Sequence, residues 1–267
     1  VLTEDYAYGE PLLATHAPAL LTEGLYYPDG QIQDEVFEYG SFRQSRMFQA
    51  GVGCSDCHEP HSLELRAEGD ALCGRCHSPA KFETSAHTGH AVAPVGAPTV
   101  VGCVDCHMPE RTYMGVDRRG DHSLRIPRPD LTVRIGTPNA CASCHADKPA
   151  SWAAAAVERW HGPVDGERHY GEVFHAARGG DVAVGPELAA LAKNVARPAI
   201  VRATALAELA RFPGQQLESA LAAGAGDPEP LVRYAAALAL EGLPADLRIR
   251  AAGGLLDDPL LGVRPDA

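Results

Sequence analysis

At 267 residues, 45% of them apolar, the chain is long enough for one large or two ordinary domains. Its formal net charge of −12 argues against a polyanionic partner such as nucleic acid, and no apolar run approaches the roughly 20 residues of a membrane span. The opening Val-Leu-Thr-Glu-Asp lacks the basic start and apolar stretch of a signal peptide, so a processed form or a piece of something longer is expected.

Residues 1–50 carry aromatics and turn formers such as Tyr26-Tyr27-Pro28-Asp29-Gly30, then a short helix expected over about 34–49. This zone reads as an N-terminal wrap. Residues 51–147 hold all eight cysteines, and the Gly and Pro around 91–98 and 126–129 argue against long helices and regular sheets there. Asp147 is placed to cap a helix containing Trp152 to Trp160, with a Gly-rich linker following over 162–185. Beyond it, Val201-Arg202, Val232-Arg233 and Val263-Arg264 recur at a spacing of 31, and Asp227-Pro228 is echoed by Asp258-Pro259. Such a period predicts stacked helix pairs, the third of them incomplete. The expected division is 1–147 as one module (wrap 1–50, cysteine-bearing part 51–147), 148–185 as helix and linker, and 186–267 as repeats.

The cysteines fall into four Cys-x-x-Cys-His motifs: Cys54, Cys57 and His58; Cys73, Cys76 and His77; Cys103, Cys106 and His107; Cys141, Cys144 and His145. On one helical turn the residues of such a motif share a face. Two thiols can then form thioethers with haem vinyl groups while the next imidazole reaches the iron, which is the attachment signature of c-type haem. Cys-x-x-Cys alone also serves zinc sites, thioredoxin-like pairs and disulfides. The histidine discriminates: with 12 His in the chain, its chance recurrence after all four pairs is roughly 4 in a million. Four covalent c-type haems are therefore expected, with His58, His77, His107 and His145 as proximal ligands. The intervals between motifs hold too little apolar sequence for a conventional core, so the macrocycles are expected to supply it. The fold class expected is mainly α with much irregular coil: a multihaem cytochrome c module packed around its haems, plus a short C-terminal HEAT-like array.

Four irons need sixth ligands. Nearness to the haem-bearing segment favours His16, His61, His87, His90 and His122, four of which are expected to coordinate; His161, His169 and His175 are read as ordinary histidines. His61 sits three residues after a proximal ligand, too close to reach the far face of the same haem. Methionine would raise the potential, but only Met47, Met108 and Met114 exist. Bis-histidine irons without a clear open catalytic position are the expectation, and no catalytic residue is assigned.

The stretch from Tyr39 through Cys54-Ser-Asp-Cys57-His58-Glu-Pro-His61, with Cys103-Val-Asp-Cys106-His107-Met-Pro, Asp121-His122-Ser-Leu-Arg-Ile-Pro and Gly136-Thr-Pro-Asn-Ala-Cys141, resembles bacterial multihaem c-type cytochromes in which a haem module precedes TPR or HEAT-like repeats. The resemblance spans roughly residues 1–260 and implies periplasmic or extracellular electron transfer; members commonly carry a further haem region upstream. The Cys-His-Met-Pro phrase is also similar to one in pentahaem nitrite reductases, whose Cys-x-x-Cys-Lys motif is not found in this sequence. The leading functional expectation is an electron conduit outside the cytoplasm, exchanging electrons with other redox proteins or with copies of itself in a head-to-tail filament. A haem-containing oxidoreductase, or an electron-transfer subunit of one, and a repeat-based partner-binding module wired by haems are the alternatives.

Overall fold

The computed structural model describes residues 1–267 except 4, 6, 92–100, 165, 167, 266 and 267. The chain is mainly helical and divides into two units, one formed by Ser45–Glu167 and the other by Val1–Gln44 together with Arg168–Ala267. The stretch expected to wrap the cysteine-bearing segment is thus grouped, up to Gln44, with the C-terminal helices.

In the Ser45–Glu167 unit each motif folds as a short turn: Cys54–Cys57, Asp70–Gly74, Cys103–His107 and the 3-10 turn Ala140–Ser143. A single antiparallel hairpin stands out, β1 (Glu110–Tyr113) with β2 (Asp117–Gly120), where Glu110 faces Gly120 and Tyr113 faces Asp117. The sequence reading had argued against a sheet here. Met114 and Gly115 both take positive φ (47° and 76°), the backbone that a tight hairpin turn of matching twist demands. Helix α1 (Ala150–His161) packs on the short helix Pro129–Ile135 through buried Ala153, Ala156 and Leu131. Asp147 does not cap it: Pro149 holds the N-cap position, and Asp147 pairs with Lys148 at 2.9 Å.

The other unit contains α2 (Tyr170–Arg178), α3 (Gly185–Lys193), α4 (Ala199–Leu209), α5 (Gln215–Ala225), α6 (Pro230–Leu240) and α7 (Ala245–Ala252). The expected 162–185 linker therefore contains a helix, α2, whose Val173, Phe174 and Ala177 are buried. Helices α4 and α6 pack on each other, and α3, α5 and α7 flank them. The 31-residue period has a physical basis in paired charges: Arg202 binds Asp227, and Arg233 binds Asp258 at 2.6 Å, one repeat later. Each aspartate also accepts the backbone N–H two residues on, from Glu229 and Leu260 at 2.9 Å. Near the end, Leu261–Val263 packs on Leu12–Ala14, where a Cβ on Gly262 would lie 2.8 Å from the Leu13 carbonyl oxygen. The expected helix over 34–49 is two short ones, Glu38–Phe42 and Arg46–Gln49, and the boundary between the units falls between them.

Candidate functional site

Each motif closes the i to i+4 bond that brings its histidine onto the turn. His58, His77 and His145 donate their backbone N–H groups to Cys54, Cys73 and Cys141 carbonyls, all at 2.9 Å. Aspartates inside the first and third motifs fasten the turn starts: Asp56 accepts from Gly53 N–H and Asp105 from Gly102 N–H, both at 2.7 Å. The second motif lacks that residue, and Asp70 upstream instead accepts the Cys103 N–H at 2.8 Å, tying the second motif to the third. Asn139 caps the fourth turn through Ala142 N–H at 3.2 Å.

These ties draw the motifs into a row. Arg75 of the second motif donates to the Asp56 carbonyl of the first at 2.8 Å, and Cys57 lies within electrostatic reach of Cys73 and Cys76. The Cys73 and Cys103 thiols lie close enough to perturb each other's ionisation, and Cys106 neighbours Cys141 and Cys144. Burial raises the Cys57, Cys73, Cys106 and Cys141 thiols above their ordinary range. Cys103 is pushed up to about 12 by burial, with the hydrogen bond and charge of Asp70 adding to it.

Imidazoles are arranged in pairs. His58 and His122 have ring centroids 6.4 Å apart with planes at 29°, His107 and His87 5.9 Å at 16°, and His145 and His90 6.1 Å at 25°. Each pair joins a motif histidine to one of the candidate sixth ligands. With metal–nitrogen bonds of about 2 Å, two imidazoles on opposite sides of one iron have centroids roughly 6 Å apart, so the pairs fit axial ligation. A tetrahedral zinc would instead splay its ligands. Backbone carbonyls set the ring orientation: Nδ1 of His58 donates to Leu63, of His107 to Arg125, of His122 to Gly120 and of His90 to Thr88, at 2.7–3.0 Å. A carbonyl only accepts, so Nδ1 carries the proton and Nε2 keeps its lone pair for metal. Burial, then the charges of His107 and His161, lower the His87 pKa and favour its neutral, ligating form.

Two tryptophans of α1 stand beside the fourth pair, Trp152 at 4.8 Å from His145 and Trp160 at 6.0 Å from His90. A cavity of about 190 Å³ lined by Cys141, His145, Trp152 and Thr132 opens next to them.

Two family profiles match this region. The doubled CXXCH motif family matches residues 47–82 and the cytochrome c552 family residues 81–172. These matches support a multihaem c-type cytochrome with covalently bound haem. A solved structure, that of the outer cell wall cytochrome OcwA, shares 16% identity with a TM-score of 0.36 and covers 83% of this chain and 54% of its own. This chain thus spans about half the length of that neighbour. A search of curated proteins returned no match.

The remaining histidines of the chain are set as follows. His61 is exposed on the turn after the first motif, its backbone N–H held by Glu59 at 2.8 Å. His16 belongs to the other unit, with Nδ1 2.8 Å from the Thr15 hydroxyl. His169 caps α2 through Gly171 N–H at 3.0 Å, and His175 lies on that helix. Sequence reasoning passed over His161, which sits 6.1 Å from His87 at 63°. It also missed Trp152 and Trp160 as neighbours of ligand histidines; their presence in a helix directly after the fourth motif was the available signal.

Proposed function

We propose that the chain is a tetrahaem electron-transfer conduit working outside the cytoplasm. One observation carries this reading: the thioether-forming cysteines of successive motifs adjoin, first to second, second to third and third to fourth. Cys54 and Cys57, Cys73 and Cys76, Cys103 and Cys106, and Cys141 and Cys144 would hold the four haems, with His58, His77, His107 and His145 as proximal ligands. His122, His87 and His90 close the first, third and fourth irons. Bound haem supplies a one-electron couple at each iron. The chain's own part would be to fix the order of the haems, to aim Nε2 of His58, His122, His107 and His90 through their Nδ1 bonds, and to offer two imidazoles to each of those three irons so that they exchange electrons without binding substrate. Mass measurement of the intact holoprotein and of its haem peptides tests the reading. It requires four haems, one on each motif, and a motif found bare overturns the count.

Filament formation is the longer-range form of the same reading, with copies of this chain or other redox proteins as partners; imaging that finds only discrete particles at high concentration removes it. The helices from α3 onward, with their repeated Arg–Asp pairs, are read as a HEAT-like array that buttresses the molecule.

A further inference from the structure

The four motif histidines are not equivalent. His58, His107 and His145 are half-buried, and each faces a second imidazole. His77 is exposed, and its ring contact is with Phe82, edge-on at 5.5 Å and 85°. Phe82 stands in the same edge-on relation to His87, at 5.2 Å and 80°. The ring contact of the His77 imidazole is thus with an apolar ring set edge-on, whereas the other three motif histidines each face a stacked imidazole.

Every histidine, methionine and lysine of the chain lies among the described residues. Within Ser45–Glu167, His122, His87 and His90 already face other motif histidines, His161 edges against His87, and His61 is held on the turn after the first motif. Met108 packs against Gly120, Met114 is exposed at the hairpin turn, Met47 sits on Arg46–Gln49, Lys81 holds its Nζ 5.1 Å over the Phe82 ring, and Lys148 pairs with Asp147. Nothing among the described side chains of this unit is set parallel to His77 in the way the three pairs are.

We infer that the iron held by Cys73, Cys76 and His77 is five-coordinate and open to a small exogenous ligand of the carbon monoxide or imidazole kind. The inference rests on the tetrahaem reading, and the two fail separately. One fully loaded holoprotein preparation tests both: the mass decides the haem count, and the spin state decides the coordination. In the oxidised holoprotein about a quarter of the iron is expected to be high-spin, converting to low-spin on imidazole addition. The reduced form should bind about one carbon monoxide per four haems. His122→Ala opens a second iron and should roughly double both signals, whereas His61→Ala and His16→Ala should leave them unchanged. Four low-spin irons with no carbon monoxide uptake overturn the inference while leaving the haem count standing. So does a high-spin signal that vanishes as protein concentration rises, because a second copy then supplies the sixth ligand. Peptide mapping that finds no haem on Cys73 and Cys76 overturns both.

Discussion

His58 and His122 both donate Nδ1–H to carbonyls, at 2.9 and 3.0 Å, whereas the third and fourth pairs have one such bond each, from His107 and His90. Donation from Nδ1 makes the imidazole a stronger base toward metal and so favours the oxidised iron. On the proposed tetrahaem reading, the couple on the first motif is therefore expected to be the lowest in potential of the three with paired imidazoles. Replacing one donor tests the ranking: His122→Met should remove the lowest step from a redox titration and move it upward by on the order of a hundred millivolts, within the ~0.8 V that axial ligands command. An unchanged lowest step refutes the assignment. The motif residues were readable from spacing alone, and the pool of sixth ligands from their nearness to it. Which histidine meets which motif was not, because that depends on a hairpin and on carbonyl directions that leave no mark in composition.

Among the elements, the turn Ser85–Thr88 and the glycine that ends it are the most exacting. Gly89 has φ +69°, and a Cβ there would lie 2.6 Å from three ring atoms of Trp160. Gly89→Ala is expected to combine backbone strain with overpacking, at about 2–4 kcal/mol. Since His90 follows directly, the fourth iron should also lose its sixth ligand, visible as a new high-spin fraction beside the lowered melting temperature. A variant with wild-type spectra and stability would refute the crowding. The hairpin β1–β2 escaped the sequence reading because Gly and Pro between motifs were taken as signs of irregular coil. The Met114-Gly115 turn was the overlooked cue, and the strands it joins deliver Gly120, whose carbonyl orients His122.

Across the whole molecule the buried apolar side chains are unevenly shared. Among the described residues of Ser45–Glu167 they are Tyr113, Leu131, Ala153 and Ala156, whereas the helices from α2 onward bury Phe174, Leu188, Ile200, Leu206, Leu209, Leu231 and many more. Chain prepared without haem should therefore keep the circular dichroism of α2–α7 while proteases cut freely within 45–167; protection of that segment would count against the cofactors being its core. In the helical unit, Arg202→Ala removes a buried guanidinium, leaves the half-buried Asp227 without its ion-pair partner and should cost about 3–5 kcal/mol. Loss of the exposed Arg250–Asp246 pair should cost no more than ~0.5 kcal/mol, and urea melts would separate the two. Burial alone would raise Asp258, but bonds from Arg233 and Leu260 N–H outweigh it and hold the carboxyl below its ordinary value. A depressed folded-state pKa contributes stability above the unfolded value of about 4 and loses it as pH falls further, so the helical unit should weaken on acidification below that point. The 31-residue period was legible because these charges repeat in sequence. The joining of 1–44 to the helices was not, since it rests on long-range contacts such as Leu21 N–H to Thr204 and Tyr170 to the Asp29 carbonyl.

The order of residues along the chain also sets the order in which the paired imidazoles emerge. His87 and His90 precede the motifs they face, so a chain emerging from its N-terminus presents both before the third and fourth motifs appear. His122 does the opposite: it follows the first motif only after the second and third have passed. In order of emergence the first motif thus meets its facing imidazole, His122, only after the third already has both His87 and His107 on the chain.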